Sequence, residues 1–136
     1  MSFRRKLTLA LVPVLLGAGL TLTSAAPSSA AVTCSYSYNQ STERAYAGHY
    51  TGLTAQPSKT VVTSAGAEAQ CLLKSIEFSP GTIDGVFGPN SQGAMRAFQQ
   101  FVNRNYDAGI AEDGMCGPES WPWLRNFAYW DWRAGS

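Results

Sequence analysis

Thr82-Ile83-Asp84-Gly85-Val86-Phe87-Gly88-Pro89-Asn90-Ser91 reads as an apolar anchor, a tight Asp-Gly turn, a second glycine and a proline that opens a helix. Asp-Gly suits a turn that needs a positive φ angle, and proline is at home in the first turn of a helix. The same signature returns as Asp113-Gly114-Met115-Cys116-Gly117-Pro118-Glu119-Ser120-Trp121. Asp, Gly, Gly, Pro and Ser recur at one offset of 29 residues, which marks an internal repeat. The structural turns are therefore expected at Asp84, Gly85 and Gly88, and again at Asp113, Gly114 and Gly117.

The chain on either side of these turns is helical. After the first turn, Ala94, Ala97, Phe98, Phe101 and Val102 form a 3.6-period apolar face. This predicts a helix from about Pro89 to Asn105. Before it, Ala69, Leu72, Leu73 and Ile76 fall at i, i+3, i+4, i+7 and predict a helix over 64–77, with Ser64 as N-cap. Gly66 weakens the first turn of that helix. A third helix is expected from about Pro118 to Phe127. Pro122 near its start removes a backbone donor, so it must begin late, kink or open as a 3₁₀ turn. The expected fold class is all-α: a small three-helix bundle with two repeated turns.

The N-terminal part has a different character. Arg4, Arg5 and Lys6 precede a Leu-rich uncharged run, Leu7 to Leu22, followed by Ser28-Ser29-Ala30-Ala31. A basic n-region, a run too short to span a bilayer and small residues before a cut describe an export signal over 1–31. Residues 32–62, rich in Tyr, Ser, Thr and Gly, read as an ordered arm or a partly flexible leader, and 63–136 as the domain with its aromatic tail. Asn39-Gln40-Ser41 fits a glycosylation triplet, a match of little weight.

Past residue 30 the chain carries seven Lys and Arg against nine Asp and Glu, two net negative charges. No basic patch supports a nucleic-acid or anionic-membrane partner. The expected location is secreted, extracellular or wall-associated, as a monomer. Three cysteines, 34, 71 and 116, allow one disulfide. Cys71–Cys116 is favoured because both lie in the repeat-bearing domain. Cys34–Cys71 follows closely, since an arm could reach Cys71 on the outer face of its helix. One histidine, His49, and no Cys-x-x-Cys spacing argue against metal, and no cofactor motif is present.

Catalytic machinery is not expected. Asp84 and Asp113 could be paired carboxylates of the glycosidase kind, but both belong to a repeated turn, where an aspartate bonds nearby backbone N–H groups. His49 lies in the arm with no identifiable partner, and no nucleophile elbow is present.

Taken in order, Glu68-Ala69-Gln70-Cys71-Leu72-Leu73, Ile83-Asp84-Gly85-Val86-Phe87-Gly88-Pro89, Ala94-Met95-Arg96-Ala97-Phe98-Gln99 and Asp113-Gly114-Met115-Cys116-Gly117-Pro118-Glu119-Ser120-Trp121 with Leu124 resemble the peptidoglycan-binding domain of type 1. The resemblance covers about 64–127. It implies a compact three-helix fold and a role in holding secreted proteins on bacterial cell wall, with peptidoglycan, glycan strand or stem peptide, as partner. Departures are Gly66, Ala69, Cys116, Pro122 and a longer loop around Asn103–Asp107. Trp121 is expected in the core. Trp123, Tyr129 and Trp130 are candidate ligand contacts, because exposed aromatic faces can stack on sugars, and Gln99 and Asn103 are candidate polar contacts. The alternatives are a small secreted hydrolase using Asp84, Asp107 or Asp113, and a secreted protein-binding or inhibitor module on the same scaffold.

Overall fold

The computed structural model describes residues 31–135 as one compact unit. The expected export signal lies outside the described residues apart from Ala31. The order of elements is β1 (Ser37–Asn39), β2 (Arg44–Tyr46), α1 (Ser64–Ser75), α2 (Pro89–Tyr106) and α3 (Ser120–Gly135). The three helices are those expected, and the segment read as an ordered arm or partly flexible leader contributes a short two-stranded hairpin.

α1 is the central helix. Every residue from Ala65 to Leu73 is buried, so the helix is covered on all sides rather than along one stripe. Its N-cap is Thr63, one residue before the expected Ser64, and the Thr63 hydroxyl accepts from Gly66 N at 2.9 Å. Gly66 is there for space. A Cβ on it would stand 2.2 Å from the Gly85 carbonyl oxygen, so the first turn of the repeat packs directly on α1. The helix stops at Ser75, short of the expected Glu77, because Glu77 turns to φ 67° and Phe78 N donates back to Leu73 O.

α2 opens at Gly88 with Pro89 in its first turn and closes at Asp107, whose backbone is left-handed and whose N–H reaches Val102 O. It buries Ala94, Met95, Phe98 and Val102. α3 begins late: Ser120 N and Trp121 N both donate to Gly117 O, and the helix starts at Ser120. Pro122 then falls in the first turn, where the missing N–H has no intrahelical partner to lose. The helix runs on past the expected Phe127 to Gly135, burying Trp121, Leu124, Arg125, Ala128 and Tyr129.

The arm is folded into the same core. β1 and β2 pair antiparallel, with Ser37 opposite Tyr46 and Asn39 opposite Arg44. The Asn39 carboxamide oxygen accepts from Ser41 N and Thr42 N and so makes the turn. Ala45 and Ala47 are fully buried against the helices. The link is a buried ion pair between α1 and α3. Arg125 Nη1 donates to Glu68 Oε2 at 2.7 Å, and neither side chain is exposed. Glu68 also accepts the backbone N–H groups of Ala47, His49 and Tyr50. Arg125 also donates to the carbonyls of Ala45, Tyr50 and Gly52, and its guanidinium stacks 4.5 Å above the Tyr46 ring. Charges removed from water need such complete pairing.

The disulfide corrects the favoured pairing. It joins Cys34 to Cys71, not Cys71 to Cys116. Cys71 faces the arm, where the Tyr36 hydroxyl also donates to the Cys71 carbonyl. Cys116 is a free thiol, fully buried at the repeat position that Phe87 fills in the first copy.

Candidate functional site

The repeat is a pair of joints with one wiring. In the first, Gln70 of α1 donates through Nε2 to Val86 O at 2.9 Å, Ser91 Oγ at 2.8 Å and Asp84 Oδ1 at 3.3 Å. Its Oε1 accepts from Gly85 N at 2.8 Å. In the second, Gln99 of α2 donates to Met115 O at 2.9 Å, Ser120 Oγ at 3.0 Å and Asp113 Oδ1 at 3.1 Å, and accepts from Gly114 N at 2.9 Å. Asp84 Oδ1 also accepts from Val86 N, and Asp113 Oδ1 from Met115 N. Each element of this circuit obeys the offset of 29. Gly85 and Gly114 both sit at positive φ. A Cβ there would also strike Val62 Cγ1 at 2.8 Å in the first joint and Gln92 O at 2.9 Å in the second.

A shallow depression lies at the mouth of each joint. The first, about 200 Å³, includes Thr82, Asp84, Gly88 and Asn90. The second, about 160 Å³, includes Ala111, Asp113, Gly117 and Glu119, with Gln56 of the arm beside it. The two are copies of one construction feature, since their linings correspond at the same offset. Each aspartate spends one carboxylate oxygen on its own turn.

The candidate ligand residues divide. Gln99 and Tyr129 are each about 1 % exposed, which removes both from any surface a ligand meets. Gln99 has its carboxamide committed to the second joint, and Tyr129 Oη accepts from Arg133. Asn103 pins the loop after α2: its Nδ2 donates to Ile110 O and Glu112 Oε2, and its Oδ1 accepts from Ile110 N. Trp121 is buried in the core, its indole N–H on Ala55 O at 2.7 Å. His49 packs locally, its Nε2 2.7 Å from Thr33 O.

Trp130 is exposed, and Trp123 is half-buried, one side packed against the core. With Pro122 and Asn126 they line a depression of about 130 Å³ on one face of α3. Trp130 is 39 % exposed and donates through Nε1 to Glu43 Oε1 at 3.0 Å. Asn126 Nδ2 donates to the Glu43 and Thr42 carbonyls. Trp123 leans on Tyr106 at 6.1 Å between ring centroids. Asn126 and Glu43 were not singled out in the sequence. The spacing of 123, 126 and 130 carried a signal for Asn126, but only once the tail was known to be helical. Among the described residues, no cluster of His, Cys, Asp and Glu could hold a metal, and no helix is long and apolar enough to cross a membrane.

Comparison with known proteins agrees with the architecture. No curated protein matches the chain. A crystal structure of a peptidoglycan-binding protein from Clostridioides difficile, in complex with glutamine hydroxamate, shares the fold with a TM-score of 0.52 at 24 % identity. The likeness covers 68 % of this chain and 57 % of that one, so it spans little more than half the length of the other protein. Residues 65–124 match the family described as "Putative peptidoglycan binding domain", a span that holds α1, both joints and the start of α3. Over residues 65–124 this chain is thus similar to that peptidoglycan-binding family, and it shares its fold with the Clostridioides difficile protein.

Proposed function

We propose that this chain is an exported, non-catalytic module that binds peptidoglycan and so resides at the bacterial cell wall. The observation that carries the reading is the family match across 65–124. Three features support it. The disulfide suits an oxidising compartment outside the cytoplasm. The two repeated aspartates, the natural candidates for acid–base chemistry, each commit an oxygen to holding a turn. The exposed aromatic face of α3 offers a preformed binding surface. In this reading residues 1–31 are removed on export, 32–62 form the arm and 63–136 the binding domain, acting as a monomer without cofactor.

The test is co-sedimentation of the disulfide-bonded chain, residues 32–136, with purified insoluble peptidoglycan. The expected result is retention in the pellet with no soluble fragments released from the wall. Release of fragments would replace this reading with a small hydrolase. Failure to pellet at high wall excess would leave a protein-binding module on the same scaffold.

A further inference from the structure

The family match ends at residue 124, but α3 continues to Gly135. Two of the four residues around the α3 depression, Asn126 and Trp130, therefore lie on an extension that belongs to this chain rather than to the matched segment. The hairpin, also outside the match, buttresses that extension: Glu43 fixes the Trp130 indole N–H, and the Asn126 amide nitrogen donates to the Glu43 and Thr42 carbonyls. A ring and an amide held before the ligand arrives lose little freedom on binding. The held amide leaves Asn126 Oδ1 as an acceptor at the middle of the face.

Spacing and charge say what the face fits. Trp123, Asn126 and Trp130 stand at i, i+3 and i+7, so they share one side of the helix. Seven residues separate the two tryptophans, a backbone rise of about 10.5 Å along the axis. That is close to twice the rise of one pyranose in an extended β-1,4-linked strand. Successive sugars in such a strand alternate in facing, so the sugars two apart present the same face. Indoles at this spacing meet every second sugar, and the sugar between them turns its opposite side to Asn126. The four lining residues carry no ionisable side chain, and the carboxylate beside them, Glu43, accepts from the Trp130 indole, which suits an uncharged glycan and leaves the carboxylates of a stem peptide without a cationic partner.

We infer that the Trp123–Asn126–Trp130 face binds the glycan strand of the wall polymer, spanning three consecutive sugars with one indole under each outer sugar. This rests on the peptidoglycan-binding reading and names its epitope. Soluble β-1,4-linked N-acetylglucosamine oligomers and a free stem peptide serve as probes, with binding read by calorimetry and by tryptophan fluorescence. The trimer and longer oligomers are expected to bind, the dimer about tenfold more weakly, and the stem peptide not to bind. Trp123→Ala and Trp130→Ala should each weaken the tetramer about tenfold or more. Trp130→Phe, which keeps a ring but loses the Glu43 bond, should fall between, and thermal melts check that the variants fold. Stem-peptide binding without oligomer binding overturns the inference, as does full oligomer affinity in folded Trp123→Ala and Trp130→Ala. The wall itself separates the two levels. If the wild type and both alanine variants pellet equally, the epitope is wrong and the wall reading stands. If the wild type does not pellet, the wall reading has failed first.

Discussion

The residues that determine this fold are polar ones placed inside it. Gln99 holds four groups of the second joint, and its Oε1 is the acceptor for a buried Gly114 N–H. Leaving a buried donor without a partner costs about 1–3 kcal/mol. Gln99→Ala is therefore expected to destabilise by at least that amount, read as a lower denaturant midpoint. Gln70→Ala should do the same through the first joint. Cys116 is a different kind of buried group. Burial pushes its thiol well above the ordinary range, so the folded protein keeps a proton that the unfolded chain releases at about pH 8.5 and above. The contribution is fully present below that pH and is lost progressively as pH rises from there through the raised folded-state value. Stability should decline above about pH 8.5, and the decline should be shallower in Cys116→Ala, measured by denaturation across pH 7–10.

At the scale of elements, the hairpin and α3 depend on one another. The Arg125 guanidinium neutralises Glu68 and ties three carbonyls of the arm. Removing it leaves a carboxylate buried without its counter-charge, a loss of about 3–5 kcal/mol. Arg125→Ala should lower the melting temperature sharply, with near-ultraviolet dichroism reporting the release of Tyr46, Tyr50 and Trp121 from their packing around the guanidinium. Glu68→Gln, which leaves the arginine charge uncompensated, should be nearly as damaging. This pair also explains why the sequence understated α3. A charged residue in the middle of an apolar stripe breaks the pattern, and tryptophans on both faces blur it. Trp121, Leu124, Ala128 and Tyr129 become a clean helical series only once Arg125 is placed with them in the core. The hairpin was illegible for a related reason: its strands are three residues long and take their order from contacts made far along the chain.

For the whole molecule, the helical plan was legible because it is written twice. The offset of 29 located both joints, and the periodicity of 94–102 set α2 to within a residue of Tyr106. The offset also held a further clue, since Gln70 and Gln99 obey it and are the side chains that wire the joints. Gln99 was instead assigned to the surface, as helical periodicity alone does not distinguish a solvated amide from one that bonds backbone inside. The candidate site was legible only in part. Aromatic density pointed to Trp123 and Trp130, but which tryptophans stay at the surface was decided by the path of α3, and the partners of Trp130 and Asn126 come from the turn at residues 42 and 43.

The Cys34–Cys71 bond has a mechanical consequence for the wall-bound module proposed above. It closes a covalent loop around the hairpin, the arm and the first turns of α1. Tension applied to the chain ahead of Cys34 passes through the sulfurs directly into the central helix and bypasses everything between. About 37 residues, the separation between the two cysteines, are thereby withheld from extension, roughly 120 Å of contour. Under load the buttress beneath Trp130 is shielded from the pulling axis at its N-terminal side, and the chain yields only as far as the helices that follow Cys71 allow.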